Sequence, residues 1–322
     1  MAKQVTKKQH WVPQFYLKNF ANTDGKLHAL DLRKGKILTK TYYPSEICYE
    51  DFFYGTKTGV EDEISQELEE IFQMTEDELS DEYDRLCKEL LDKNKAPEEE
   101  DLYLLAQHLS FLWIRSAYFR ETMHRSMGRL LKDISIKRAL NKEHFYDVLE
   151  KSSSKKHTPE EKEKIRQLAI SGEYDLAFSN DDHLRFLLNA KGFGNLLFHK
   201  KWRIYYIRDR DDFSFLTSDT PIIEVYPPSR GYWGYNFMER THYFAMTPKV
   251  LIEFIDIDSP GKRVKRKEIK SKEQVEEFNL KRLQWSYEFA YSGDRVNFRK
   301  AETYKEMQEF ALQEFIRKVT GN

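Results

Sequence analysis

The chain has 322 residues, 40% of them hydrophobic, enough for one large core or two small ones. Its 53 basic and 54 acidic side chains cancel, so no global positive field announces nucleic-acid binding, and any such role needs a local patch. Two cysteines, Cys48 and Cys87, make neither a disulfide framework nor a zinc signature, and no run approaches eighteen apolar residues, so the expectation is a soluble, cytoplasmic protein with no membrane partner.

Val12 precedes a proline and is expected to be extended. Pro13 suits the first turn of a short aromatic helix, which should end before the turn cluster Asn22-Thr23-Asp24-Gly25. Residues 26–32 and 36–42 flank Arg33-Lys34-Gly35 and read as a hairpin. From Val60 to about Leu91 the apolar residues recur at 60, 64, 68, 71/72, 79, 83, 86 and 90, which is one face of a long helix interrupted near Thr75. Pro97 followed by Glu98, Glu99 and Glu100 opens another helix. It should run to about Ile134 and, being apolar almost all round from Leu102 to Phe119, should be the buried central one.

Residues 151–166 read as an exposed loop leading into a solvated helix capped by Thr158-Pro159-Glu160-Glu161. A helix over 181–195 should end at Gly192 and Gly194. The pattern then switches to period two, with strands expected over 202–208, 213–217, 222–226, 241–246 and 250–257, joined by links short enough for antiparallel pairing. A helix over 271–285, a strand near 289–292 and a terminal helix from about Lys300 complete the order. The fold class is α+β: a mostly antiparallel sheet with a long-helix bundle inserted after an N-terminal hairpin. We expect a single domain over 1–322, with a helical subregion at about 60–195 and a β-rich subregion at about 200–295 that includes the hairpin 26–42.

Three stretches carry a resemblance. They are Gln9-His10-Trp11-Val12-Pro13-Gln14-Phe15-Tyr16-Leu17-Lys18-Asn19-Phe20, the helix segment from Gln107 to Arg120, and Phe215-Leu216-Thr217-Ser218-Asp219-Thr220-Pro221. In that order they resemble the domain-of-unknown-function 4238 family, whose hallmark His and Pro correspond to His10 and Pro13. Its Gln and Arg pair corresponds to Gln107, Arg115 and Arg120. The resemblance implies a site around these residues and brings no activity with it.

His10 leads the candidates. Close to a helix N-terminus the dipole disfavours imidazolium, so the ring should stay neutral, ready to act as a base or metal ligand; the alternative is that it only ties down the helix start. His108 and Arg115 are seven apart and share a helix face at a separation of about 10 Å along the axis, with Gln107 on the next stripe. A buried guanidinium needs a carboxylate, carbonyls or an anionic ligand. Asp219 can shape a corner, hold a divalent metal or orient His10; Ser218 is a weak nucleophile candidate without a Gly-x-Ser-x-Gly elbow. Glu61 borders the apolar stripe and can pair with Arg115 or complete a metal site, whereas Glu63, Glu67, Glu69 and Glu70 read as a solvated face. The loop from Tyr226 to Phe237 offers Tyr232 and Trp233, with Arg120, for substrate contact, or packs beneath itself. Basic runs at 199–203 and 262–267 can follow a phosphate backbone or simply stay solvated.

The first expectation is an enzyme acting on a phosphate-containing substrate, a nuclease foremost. His10 would be its base, Arg115 would neutralise charge, and Asp219 would orient the histidine or hold a divalent ion. The alternative is a non-catalytic module that binds nucleic acid or protein, in which the same polar residues are structural.

Overall fold

The switch from helical to alternating periodicity divides the molecule. A computed structural model describes residues 6–54, 56–57, 64–65, 67–176, 190–209, 211–225 and 240–298. The fold is α+β, with eight α-helices among the described residues and mostly antiparallel sheets. Two compact units emerge: residues 1–118 with 184–322, and residues 119–183. Helices anticipated over 60–195 are shared between them.

In the first unit β1 (Lys8–His10) leads into α1 (Gln14–Lys18), with Pro13 as its N-cap. The hairpin forms between β2 (His28–Asp31) and β3 (Lys36–Ile37). It does not stay local: β2 pairs with the late strand β13 (Phe289–Ser292), which also pairs with β8 (Thr217–Ser218). Here Gly293 is required, since a Cβ would stand 2.7 Å from the Phe20 carbonyl oxygen and 2.8 Å from the Asn22 nitrogen. Chain ends far apart in sequence are thus locked together at backbone distance.

The second sheet has the order β12-β7-β11-β10-β9. Its members are β7 (Lys201–Tyr206), β9 (Ile222–Val225), β10 (Thr241–Thr247), β11 (Val250–Ile255) and β12 (Val264–Glu268). All pairs are antiparallel except β12 with β7. The edge strand β12 was not expected: Val264-Lys265-Arg266-Lys267-Glu268 reads as a basic run because an edge strand needs few apolar residues. Two small pairs were also unforeseen, β1 with β4 (Tyr49–Asp51) and β5 (Thr56–Lys57) with β6 (Ile64–Ser65). Residues 213–216 lie outside the regular strands.

α2 spans Glu67–Leu91 without a break at Thr75. The helix expected to run from Pro97 to Ile134 is two, α3 (Glu99–Ile114) and α4 (Ala117–Leu140). The break falls at Arg115 and Ser116, where the Ser116 hydroxyl donates to the Trp113 carbonyl at 2.7 Å and draws it from the helical ladder. α7 (Ala190–His199) runs through Gly192 and Gly194 instead of stopping there. A Cβ on Gly194 would meet the Gln107 side chain at 2.5 Å, so this glycine admits α3. α8 (Lys272–Trp285) starts at Ser271 as expected, and its Asn279 accepts from Leu216 N–H and donates to the Ser214 carbonyl.

The second unit holds most of α4, with α5 (Lys142–Ser152) and α6 (Pro159–Ser171). The capping box at Thr158 forms with Glu161, and Gly172 closes α6 in the left-handed region at φ 65°. The helix portion 181–189 and the terminal helix from Lys300 lie outside the described residues.

Candidate active site

The N-terminal segment is a strap across the first unit. Gln9 is buried and accepts from Tyr54 N–H at 2.7 Å. Trp11 donates its indole N–H to the Asp219 carbonyl at 3.2 Å. Tyr16 donates to the Ala245 carbonyl at 2.8 Å and lies 2.7 Å from the Thr217 hydroxyl. Aromatic positions in this segment therefore hold both sheets.

Within the strap His10 pairs with Tyr49, and its ring tilts against the tyrosine at 5.3 Å between centroids. One ring nitrogen bonds the Ser45 backbone, while Nε2 has no hydrogen-bond partner. A neutral ring with its proton on Nδ1 satisfies both facts and leaves the Nε2 lone pair free. Burial is the main reason the pKa falls below the ordinary histidine value, with Arg115 and Lys8 adding to the fall and Ser45 and Glu76 opposing it. The expected neutrality is present, but a helix dipole is not its leading cause: α1 has five residues.

Arg115 is buried and its carboxylate partner is Glu76, 2.6 Å from Nη1; Nε donates to the Trp11 carbonyl at 3.0 Å. The guanidinium lies over the Phe72 ring at 5.2 Å. Glu76 occupies the gap between Phe72 and Leu79 in the apolar stripe of α2. What reads as an interruption is a polar residue facing a buried cation, and the helix continues through it. The remaining void beside this pair, lined by Phe15, Tyr83 and Leu109 among others, is about 30 Å³, the size of a water.

On the other side of Glu76 an open cleft of about 540 Å³ is lined by His10, Gln14, Ser45, Glu69, Gln73 and Asp77 among others. Glu69 and Glu76 are seven apart on α2 and face it together. The Glu69 carboxyl is pushed up to about 7, chiefly by burial; Arg115 pulls it down and Glu76 pushes it up. Near neutral pH this cleft is lined by a neutral His10, whose Nε2 is itself buried, and by a carboxyl half in its acid form. Sequence reasoning placed Glu69 on a solvated face and passed over Glu76. The signal that finds them is their position beside Phe72 and Leu79 on the core-facing stripe.

Asp219 does not join them. Its carboxylate is buried and accepts from the backbone N–H groups of Tyr287 (3.2 Å), Glu288 (2.7 Å) and Phe289 (2.8 Å). Burial pushes this carboxyl up to about 7 against those three donors. Ser218 donates to the Thr220 carbonyl at 2.8 Å and accepts from Thr220 N–H. Arg282, also buried, closes the corner by donating to the carbonyls of Thr220 and Pro221, and burial lowers its pKa to about 10. The grouping of His10, Arg115 and Asp219 about one opening is therefore not what the fold makes: Trp11 stands between, bonded to Arg115 through its carbonyl and to Asp219 through its indole.

Gln107 bonds Asn195 at 3.0 Å and belongs to the α3–α7 contact. His108 faces the carbonyls of Leu104 and Thr75 and ties α3 to α2. Arg120 lies on α4 in the second unit, partly exposed. Glu61, Tyr232 and Trp233 lie outside the described residues. Among the described residues no group of three or more His, Cys, Asp or Glu side chains is placed to hold a metal ion. A further cluster was not foreseen: Glu224 and His242 are cross-strand partners on β9 and β10, with Glu224 also bonded to Arg240 and the Lys200 ammonium on the Arg240 carbonyl. Burial lowers the Lys200 pKa to about 8.

A family model described as a protein of unknown function, DUF4238, matches residues 8–296, from the strap through β13. The chain belongs to the DUF4238 family. The DUF4238 match takes in His10, Glu69, Glu76 and Arg115 alike. No curated protein and no solved structure matches the chain. No helix among the described residues is long and apolar enough to cross a membrane.

Proposed function

We propose that this protein is a hydrolase acting on a phosphate-containing substrate, nucleic acid foremost, by general acid–base catalysis in the His10 cleft. The observation that carries this reading is that one cleft is lined both by His10, whose buried Nε2 has no hydrogen-bond partner, and by a carboxyl held up to about 7. Nε2 of His10 takes a proton from water as the water oxygen attacks phosphorus. The bond from phosphorus to the leaving oxygen breaks, and that oxygen leaves with the proton of Glu69. The proton then returns from His10 to Glu69 through solvent. Arg115 positions: it fixes Glu76 and the Trp11 carbonyl next to His10. Lys40 pairs with Glu46 and Arg115 with Glu76, which offsets two of the four acids that line the cleft, and Lys8 lines it as well. A cytoplasmic setting is part of the proposal, supported by two unpaired thiols, Cys48 and Cys87.

The binding-module reading is favoured by one specific observation: the Asp219 carboxylate is taken up by backbone amides, and Nη1 and Nε of Arg115 bond inside the protein. The test is incubation of wild type, His10→Ala and Glu69→Gln with RNA, single-stranded DNA, duplex DNA and bis(p-nitrophenyl) phosphate, with and without Mg²⁺ or Mn²⁺. Cleavage by wild type that both variants slow supports the hydrolase. Absence of cleavage by wild type under every condition leaves the binding module.

A further inference from the structure

The two basic runs, some sixty residues apart in sequence, are neighbours in the fold. β12 pairs in parallel with β7, so Lys265 stands beside Arg203 and Lys267 beside Tyr205. Around this sheet edge runs an open groove of about 620 Å³ lined by Lys93, Arg203, Tyr206, Lys262, Lys265 and Arg266 among others, with no acidic side chain in its lining. Of the acids close by, Glu268 pairs with Arg208, Glu89 with Lys95 and Glu99 with Arg263, while Glu253, opposite Arg203 on β11, accepts from the Tyr205 hydroxyl. Arg266 is spent on the carbonyls of Glu89, Leu90 and Lys95, where it closes the C-terminus of α2 and fixes β12 against it. Lys93 lies over the Tyr206 ring at 4.7 Å. Lys262 and Lys265 are exposed, and Nη1 of Arg203 is buried without a hydrogen-bond partner while Nη2 donates to the Pro260 carbonyl.

A row of cations with no acids between them, along a groove floored by a rigid strand pair, matches a chain of phosphates spaced at regular intervals. We propose that the β7–β12 groove binds the phosphate backbone of a nucleic-acid strand, with Lys262 and Lys265 as the contacting cations. This goes beyond the chemistry of the His10 cleft and holds whether or not that cleft is catalytic. The two regions lie toward opposite ends of α2. From Glu76 to Leu91 the helix climbs about 22 Å, which a stacked strand covers in about six nucleotides at roughly 3.4 Å each.

The test is fluorescence anisotropy of the full chain, carrying His10→Ala so that the probe stays intact, with labelled twenty-nucleotide RNA, single-stranded DNA and duplex DNA over a salt series. The expected result is binding that Lys262→Ala with Lys265→Ala weakens at least tenfold. The slope of log affinity against log salt should shrink by about 1.4 for a single strand or about 1.8 for a duplex, since two phosphate contacts are lost. Lys156→Ala with Lys164→Ala removes the same charge from exposed positions in the other unit and should leave affinity within twofold. Lack of binding at low salt, or equal weakening by the two double variants, overturns the proposal. Hydrolysis of bis(p-nitrophenyl) phosphate by the groove variant in the His10 background restored to wild type reads the cleft separately, so either assignment can fail without the other.

Discussion

The corner at Asp219 and the cleft at His10 hang from the same N-terminal strap, one residue apart at Trp11 and His10, yet they treat polar groups in opposite ways. At the corner a carboxylate meets three backbone donors and a neighbouring guanidinium is spread over two carbonyls. At the cleft a ring nitrogen is left without a partner beside a carboxyl that burial keeps from ionising freely. The corner too has unpartnered atoms, Nη2 of Arg282 and Oγ1 of Thr220, but the residues of the cleft border open space, where a fold can store reactivity. The difference teaches that conspicuous motif residues serve two purposes, and that access to open space separates them.

Asp219→Ala is the sharpest way to break the comparison. Three buried N–H groups would lose their acceptor at roughly 1–3 kcal/mol each, so we expect a loss of about 4 kcal/mol in urea unfolding. Stability within about 1 kcal/mol of wild type would show that the corner is dispensable. Arg115→Ala should cost about 3 kcal/mol by leaving Glu76 half-buried without its cation; a thermal midpoint that does not move would unseat this pair as the anchor of the cleft. His10→Ala should change stability by less than about 1 kcal/mol while lowering cleavage by about 10²–10⁴-fold. A collapse in stability would move His10 to the structural side. The smallest effect is in pH dependence. A neutral His10 is required, so the rate rises through a pKa below 6.5, and a protonated Glu69 is required, so it falls through about 7. Glu69→Gln should remove the alkaline limb and keep the acidic one; an unchanged profile would eliminate Glu69 as the proton donor.

Much of the fold is legible from periodicity. The hairpin, α2, the capping box at Thr158 and the strands around 202–255 announce themselves through apolar spacing and turn residues. What escapes is decided at long range. Glycines 192 and 194 look like helix stops because Gln107, whose side-chain amide lies against Gly194, is some 85 residues away in sequence. β12 hides because a solvent-facing edge needs no apolar alternation. In the cleft, His10 and Arg115 were visible through the motif and through the cost of burying a guanidinium. Glu76 was visible only as a gap in a hydrophobic stripe, and a gap does not say what faces it. Asp219 carried the same sequence signal as a site residue, and only its three backbone donors tell its role.

The lysines of β12 have a second consequence. Among the described residues this strand ends its sheet, so one row of its main-chain amides and carbonyls has no strand partner there. Charged side chains at alternate positions, Lys265 and Lys267, make a second copy of the same strand a repelled visitor. Exchanging both for valine would invite self-templated stacking, which would show as turbidity in concentrated samples.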